Sequence, residues 1–229
     1  MTRTSMIHAT HSNERSPIHG IVVTEIDGFE VEYEVTWDDY ERDCEWARTV
    51  IARAGIGSGD FVLSVTPNHE LPWTGPFIRA FREVGATYVP VEQHGWDAPR
   101  FTSMLKRLPI TVVFGLPSET LDAISTDADT VSLLATKPRL IWARPGAYRN
   151  LRRQGVDCHP MSPIGPALGI GLPGSGDAMH VDGSQWEIAT RPGGLVVSGT
   201  AQRSARLADI ATGLAGVVDR SGSDILVTL

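Results

Sequence analysis

Short runs of β-branched and apolar residues alternate with helical patterns along residues 59–117. The runs occupy residues 61–66, 85–91 and 110–114, and an amphipathic helical pattern separates each run from the next. This alternation is typical of βαβ units, which build a parallel sheet with helices on its faces. Ligands of such sheets bind outside the carboxyl ends of the strands. The sequence therefore predicts the location of a site, at the carboxyl edge of the sheet, more clearly than its chemistry.

Two more alternations extend the same pattern. Residues 139–143 and 155–159 are predicted as the fourth and fifth parallel strands, and Pro145 suits the first position of a helix between them. We therefore expect an α/β protein with a doubly wound, mostly parallel five-stranded sheet.

A β-hairpin is predicted before the sheet. Residues 21–26 and 29–35 flank the pair Asp27-Gly28, which favours a type I′ turn. The second run alternates apolar residues with glutamates, so the glutamates share a face that we expect to be solvated. Thr36 then caps a helix.

Beyond the fifth predicted strand the pattern changes, because glycine and proline become frequent and the helical period disappears. Residues 203–214 are compatible with a helical turn. Four short strands of a mixed or antiparallel sheet are predicted, at residues 178–181, 185–189, 194–198 and 224–228. We expect a flexible arm at residues 1–17, an α/β subdomain at 18–161 and a β-rich subdomain at 162–229.

Charge and cysteine content exclude several classes of protein. The net charge of −7 over 229 residues, without a basic cluster, argues against binding to nucleic acid, which depends on neutralising phosphates. The two cysteines, Cys44 and Cys158, cannot form a disulfide framework, which favours a reducing compartment. The sequence has neither a long apolar run nor a signal-peptide pattern, so we expect a cytoplasmic protein that does not enter a membrane.

Polar residues that follow the predicted parallel strands converge on one edge of the sheet. A histidine beside a carboxylate can move protons near neutral pH, and tryptophans offer an apolar wall for a flat ligand. Arg144 follows the fourth strand at the same edge. The catalytic candidates are His69, Glu70, His94 and His159, and the candidates for substrate binding are Trp73, Thr74, Trp96, Ser118 and Ser162.

A structural role is the alternative for each of these residues, since loops after strands are polar in any protein. No Ser-His-Asp order, metal-ligand spacing or dinucleotide fingerprint stands out in the sequence. The glycine-rich stretches 169–174 and 198–204 lack the features of a phosphate loop. We therefore expect neither a metal nor a cofactor.

The order of several segments resembles the phenylacetate–CoA ligase branch of the adenylate-forming (acyl-CoA synthetase) superfamily, over residues 36–219. The resemblance implies an acyl or aryl pocket near Trp73. The matching segments are Thr36-Trp-Asp-Asp, Ala54-Gly-Ile-Gly-Ser-Gly-Asp60, Trp73-Thr-Gly75, Gly85-Ala-Thr-Tyr-Val-Pro90, Leu116-Pro-Ser118, Gly165-Pro166, Met179-His-Val-Asp182, Gly194-Leu-Val-Val-Ser198 and Ala211-Thr-Gly213.

The departures from that family are equally informative. The family's phosphate loop is missing before Thr36, Pro163 stands where the family has its magnesium-binding glutamate, and Leu214 replaces the ribose-binding aspartate. From the resemblance we also expect the protein to lack the family's C-terminal domain with its catalytic lysine. The resemblance thus indicates a degenerate, truncated member that does not use ATP.

Two functions remain open at this stage. The first is an ATP-independent enzyme that acts on an acyl or aryl carboxylate, or on a thioester of CoA or a carrier protein, by acyl transfer, cyclisation or hydrolysis. The second is a non-catalytic pseudo-ligase that binds such a group or serves as a partner subunit. A homodimer or a partner enzyme is compatible with either function.

Overall fold

The computed structural model describes residues 17–229. Most of the predicted N-terminal arm lies outside these described residues. The helices are α1 (Trp37–Arg53), α2 (Leu71–Glu83), α3 (Ala98–Arg107), α4 (Ser118–Ile124), α5 (Ala128–Thr136) and α6 (Pro145–Arg153). The strands are β1 (Ile18–Ile26), β2 (Phe29–Thr36), β3 (Phe61–Val65), β4 (Thr87–Val91), β5 (Val112–Leu116), β6 (Leu140–Ala143), β7 (His159–Ile164), β8 (Ala167–Gly171), β9 (Met179–Asp182), β10 (Trp186–Arg191), β11 (Gly194–Gly199), β12 (Ile210–Ala211), β13 (Val217–Ser221) and β14 (Asp224–Thr228).

The hairpin of β1 and β2 confirms its sequence-based prediction. Asp27 and Gly28 both have positive φ, at 51° and 78°, as a type I′ turn requires. The glutamates of β2 are exposed, whereas Tyr33 and Val35 on the other face are buried. Thr36 caps α1 through a reciprocal pair of hydrogen bonds with Asp39.

The central sheet is larger than the sequence predicted. It is a mixed sheet of nine strands in the order β13-β14-β9-β8-β7-β6-β5-β3-β4. The prediction of a five-stranded sheet is therefore wrong in extent, although β3 to β7 do pair in parallel. Helices cover both faces of the parallel part, as a doubly wound sheet requires, with α1 and α2 on one face and α3 to α6 on the other.

The fifth parallel strand begins where the sequence predicted its end. Gly155, with φ 77°, follows the end of α6, and β7 then runs over His159–Ile164. The first two residues of β7 pair in parallel with β6, and the last four pair antiparallel with β8. The segment rich in glycine and proline after residue 159, for which no strand was predicted, thus forms most of β7 and all of β8. The predicted boundary between the two subdomains, at residues 161/162, falls within β7 and stays a prediction.

The remaining predictions for the C-terminal part have mixed outcomes. The four predicted strands correspond to β9, β10, β11 and β14, whereas β13 and helix α5 were not predicted. The helical turn expected at residues 203–214 is wrong, because this segment forms turns and the short strand β12 instead. None of the helices in residues 17–229 has the length and apolar character needed to cross a membrane.

Trp142 connects the parallel part of the sheet to the antiparallel part by a side-chain hydrogen bond. Its side chain is fully buried against Phe114, and its indole Nε1 donates a hydrogen bond of 2.6 Å to the carbonyl of Gly171 at the end of β8. The indole therefore fills space in the core and also satisfies a buried carbonyl.

We predict that Trp142→Phe lowers the free energy of unfolding by about 2–4 kcal/mol, because it leaves both a cavity and an unsatisfied carbonyl. Denaturant unfolding measures this loss. Trp96→Phe is the matched control: its indole is 72% exposed, so we expect a change within about 0.5 kcal/mol. Equal losses in the two variants would contradict the role of Trp142.

Candidate functional site

An ion pair joins two of the strand-end residues at the carboxyl edge of the parallel sheet. Glu70 lies in a short 3₁₀ turn after β3, and Arg144 directly follows β6. The Arg144 guanidinium donates to the Glu70 carboxylate, and the two side chains are only 12% and 15% exposed. Two of the predicted edge residues are thus in direct contact across the intervening strand β5.

Burial changes the acid–base properties of both partners. Loss of hydration raises the pKa of Glu70, and the nearby charges of Arg144 and His69 oppose that shift. Burial likewise lowers the pKa of Arg144, against the opposing effect of Glu70. The Nη1 atom of Arg144 is buried without a hydrogen-bond partner among the described residues. An unsatisfied buried donor costs about 1–3 kcal/mol, so an added oxygen ligand would stabilise this atom.

An open cleft of about 280 Å³ is lined by Glu70, the acidic partner of this pair. The hairpin, the 3₁₀ turn after β3, the β7–β8 connection and the segment after β12 form its walls. Its lining residues are Thr24, Glu25, Ile26, Asp27, His69, Glu70, Trp73, Pro163, Gly165, Thr212 and Leu214. Three predicted site residues, His69, Glu70 and Trp73, are therefore brought together. The sequence did not predict that the hairpin and the segment after β12 contribute to this site, because nothing in their local sequence indicates that they contact this edge of the sheet.

Trp73 and Thr74 lie in the first turn of helix α2, and Trp73 lines the cleft. The Trp73 Nε1 donates to the Pro166 carbonyl at 2.9 Å, which fixes the indole between α2 and the β7–β8 turn. The Thr74 hydroxyl is fully buried and donates to the Glu70 carbonyl at 3.0 Å. Trp73 can therefore contact a ligand, whereas Thr74 stabilises the helix that carries it.

His94 lies at a separate, exposed position after β4. Its ring stacks on Trp96 with centroids 6.0 Å apart, and its Nδ1 is 3.9 Å from the Glu119 carboxylate. Glu119 also accepts a hydrogen bond of 2.9 Å from the Gly95 backbone. Neither His94 nor Trp96 lines the cleft. The predicted histidines therefore do not share one site, since His69 lines the cleft and His94 lies elsewhere.

The other three predicted residues also lie outside the cleft. His159 is the first residue of β7, opposite Trp142, and burial lowers its pKa. The Ser162 hydroxyl is buried and donates to the Pro163 carbonyl at 3.0 Å. Ser118 begins α4 next to Gly146, where a Cβ would lie 2.2 Å from the Ser118 hydroxyl. None of the three lines the cleft, and a role for them in binding or catalysis stays a prediction.

A second, enclosed pocket lies between the hairpin, α1 and α2. Its volume is about 30 Å³, which accommodates one or two water molecules. Its aromatic lining consists of Tyr33, Trp46, Trp73, Phe77 and Trp186. The Trp46 Nε1 is buried without a hydrogen-bond partner among residues 17–229.

Asp43 and Arg203 close one side of this pocket. The Arg203 guanidinium donates to Asp43 at 2.5 and 3.1 Å and lies 4.3 Å from the Trp186 ring centroid. Burial raises the pKa of Asp43 to about 6, although Arg203 opposes the shift. The pair connects residues 160 positions apart, so no local sequence signal indicates it.

Comparison with known proteins identifies the fold. No protein-family model matches the sequence, and the search of curated proteins found no match either. Among solved structures, 2-hydroxyisobutyryl-CoA ligase in the postadenylation state with R3-HIB-AMP is similar at a TM-score of 0.66 and 12% identity, covering 97% of this chain and 55% of the ligase. An open conformation of that ligase with 2-HIB-AMP and CoA gives 0.66 and 14%, covering 97% and 60%.

The inhibitor-bound N-terminal domain of FACL13 from Mycobacterium tuberculosis is also similar, at a TM-score of 0.55 and 12% identity, covering 91% of this chain and 59% of that domain. The fold is therefore similar to the one found in these acyl-CoA ligases, and at 12–14% identity the likeness concerns the fold alone. The chain spans about 55–60% of the length of these structures. Loss of the nucleotide-binding residues stays a prediction from the sequence.

We predict that Arg144→Met costs about 3–5 kcal/mol of unfolding free energy, because it leaves the Glu70 carboxylate buried without a counter-charge. Adding Glu70→Gln should recover at least about half of the loss. A double-mutant cycle from chemical denaturation tests this coupling. Arg152→Met serves as control, since Arg152 pairs with Asp157 at the surface, 3.5 Å apart, and should cost less than about 1 kcal/mol. Additive losses at Arg144 and Glu70 would contradict the pairing.

Asp43 gives a pH-dependent prediction. Its pKa in the folded protein is about 6, against a usual value of 3.8, so the folded state binds the proton more tightly. This stabilisation is complete below about pH 4 and is lost as the pH rises towards 6. The free energy of unfolding of the wild type relative to Asp43→Asn should therefore fall by about 2 kcal/mol between pH 4 and pH 6. A difference that does not vary with pH would refute the assignment.

Proposed function

We propose that the protein is an ATP-independent acyl-transfer enzyme that accepts a pre-activated acyl or aryl thioester in the cleft beside Glu70. The observation that carries this proposal is the meeting of His69, Glu70 and Trp73 at one cleft, where Glu70 is held by its buried ion pair with Arg144. The fold shared with acyl-CoA ligases supports an acyl-related role. Trp73 supplies an apolar wall for the acyl or aryl group.

The charge of the cleft favours a thioester over ATP or a free carboxylate. Glu25, Asp27 and Glu70 line it, and no lysine or arginine of the described residues does so. Arg144 neutralises Glu70, but Glu25 and Asp27 repel a triphosphate or a carboxylate anion, whereas the acyl group and the thioester carbonyl are uncharged. An anionic carrier such as CoA would therefore lie outside the cleft. Leu214, at the position where the family resemblance leads us to expect a ribose-binding aspartate, adds an apolar contact.

His69 is the general base and acid of the proposed reaction. Its exposed imidazole takes a proton from water or from an acceptor hydroxyl as that oxygen attacks the thioester carbonyl carbon. The carbon–sulfur bond then breaks, and the same proton passes from the imidazole to the departing thiolate. With water as acceptor, the products are a carboxylate and a free thiol.

Release of free thiol from a panel of aryl and acyl thioesters tests this function. We expect His69→Ala to lower kcat/KM by about 10²–10⁴-fold, because it removes the proton carrier. His94→Ala is the matched control, since His94 is also an exposed histidine after a parallel strand but lies outside the cleft; its activity should remain within about twofold of wild type. Equal losses in both variants would remove His69 from the mechanism.

Thermal unfolding distinguishes ATP dependence. A thioester that binds the cleft should raise Tm, whereas ATP with magnesium should not. Stabilisation by ATP and magnesium alone would overturn the proposal.

A non-catalytic partner subunit is the second candidate, and the outer face of the hairpin favours it. Ile21 and Val23 of β1 are 59% and 58% exposed there, beside the glutamates of β2. If a thioester raises Tm while the wild type releases no thiol from any substrate, this second function replaces the first. Light scattering then tests whether Val23→Glu dissociates an oligomer.

A further inference from the structure

A serine, a histidine and an aspartate form a continuous hydrogen-bonded chain at the far end of β8. The Ser175 hydroxyl is 2.8 Å from the His180 Nε2, and the His180 Nδ1 is 2.8 Å from the Asp224 Oδ2. His180 and Asp224 are only 4% and 8% exposed, whereas Ser175 is half-buried in the loop between β8 and β9. The buried end of the chain is thus an acid–base pair, and the accessible end is a hydroxyl.

The carboxylate fixes which ring nitrogen carries the proton. A carboxylate oxygen only accepts, so at 2.8 Å the His180 Nδ1 must donate to Asp224. Arg53 also donates to the same Asp224 oxygen and lies 3.3 Å from Nδ1. If Nδ1 instead accepted from Arg53, its lone pair would face the closer carboxylate oxygen, which is repulsive. Nε2 is therefore the acceptor, and the Ser175 hydroxyl donates to it, as activation of a serine nucleophile requires.

This chain is separate from the cleft that contains His69. The cleft reaches Gly165 in the turn before β8, whereas Ser175 follows the end of β8. The five residues of β8 place these ends about 13 Å apart, at about 3.3 Å per residue. None of Ser175, His180 and Asp224 lines the cleft.

A basic groove adjoins the serine loop. Tyr148, Arg149, Arg152, Arg153 and Asp177 line an open groove of about 650 Å³, and the Tyr148 hydroxyl donates to Asp177, two residues beyond Ser175. Three exposed arginines on α6 attract anions. An acyl donor that carries an anionic group would therefore be held beside the serine.

We propose that Ser175, His180 and Asp224 form a serine-nucleophile site that accepts the acyl group of an anionic ester or thioester. The Ser175 oxygen bonds to the carbonyl carbon as its proton passes to the His180 Nε2. The bond from that carbon to the leaving oxygen or sulfur then breaks, and the leaving group takes the proton. Water releases the acyl group from Ser175 by the same steps and restores the serine.

A fluorophosphonate probe on the full chain tests the nucleophile, because attack forms an oxygen–phosphorus bond with loss of fluoride. Intact mass and peptide mapping should place one phosphonyl group on Ser175. Ser175→Ala should abolish labelling, and His180→Gln should slow it by about 10²-fold or more. Ser223→Ala, in the exposed turn before Asp224, should label like the wild type. Labelling elsewhere, or no labelling of the wild type, overturns the proposal.

A thiol variant tests the histidine without depending on the rest of a catalytic site. The two native cysteines are buried, so iodoacetamide should react with an introduced thiol first. Ser175→Cys should be alkylated about tenfold or more faster than Ser223→Cys, because an adjacent imidazole assists thiolate formation. Equal rates would show that His180 does not activate this position.

The acyl-donor class is tested by hydrolysis of p-nitrophenyl succinate against p-nitrophenyl acetate. The anionic ester should be preferred at low salt, and Arg149→Gln with Arg152→Gln should remove the preference. A preference that survives both substitutions would overturn the assignment of the groove. His69→Ala should leave labelling of Ser175 unchanged, which separates this site from the proposed thioester cleft.

Discussion

Strand β7 is the constraint on which the rest of the sheet depends. Its first two residues complete the parallel ladder with β6, and its last four begin the antiparallel ladder with β8. Strand β8 packs very closely against β7 at Pro160, since a Cβ on Gly171 of β8 would lie 2.6 Å from the Pro160 ring. Only glycine fits at position 171. The carbonyl of Gly171 accepts the hydrogen bond from the Trp142 indole. The close packing of β8 thus positions both the cleft at one end of the strand and Ser175 at the other.

The parallel half of the fold could be predicted from the sequence, because each strand is followed by its own helix and turn. The runs predicted at residues 61–66, 85–91 and 110–114 need no distant partner to be recognised, and they correspond to β3, β4 and β5. The segment from β7 to β8 could not be predicted in the same way. Glycine and proline usually mark turns, but here Gly169 and Gly171 mark strands whose neighbours leave no room for a side chain, and that information lies in Ile164, Met179 and Pro160.

The candidate sites could likewise be predicted only in part from the sequence. Glu70 and Arg144 could be placed together because parallel strands end at one edge, and that rule needs only strand order. Their burial, and the cleft formed with the hairpin, required the tertiary structure. His180 and Asp224 are 44 positions apart and meet only because β9 pairs with β14. A search for Ser, His and Asp in the sequence therefore gives no signal for the site at Ser175.

Charge gives the two ends of β8 different chemistry. The cleft near Gly165 is lined by Glu25, Asp27 and Glu70, whereas the groove near Ser175 is lined by three arginines. A ligand that carries negative charge is repelled from the first and attracted to the second. The neutral carbonyl of a thioester suits the first, and an anionic acyl donor suits the second. The two proposed sites thus differ in the charge of the ligand that each favours, and a single substrate need not serve both.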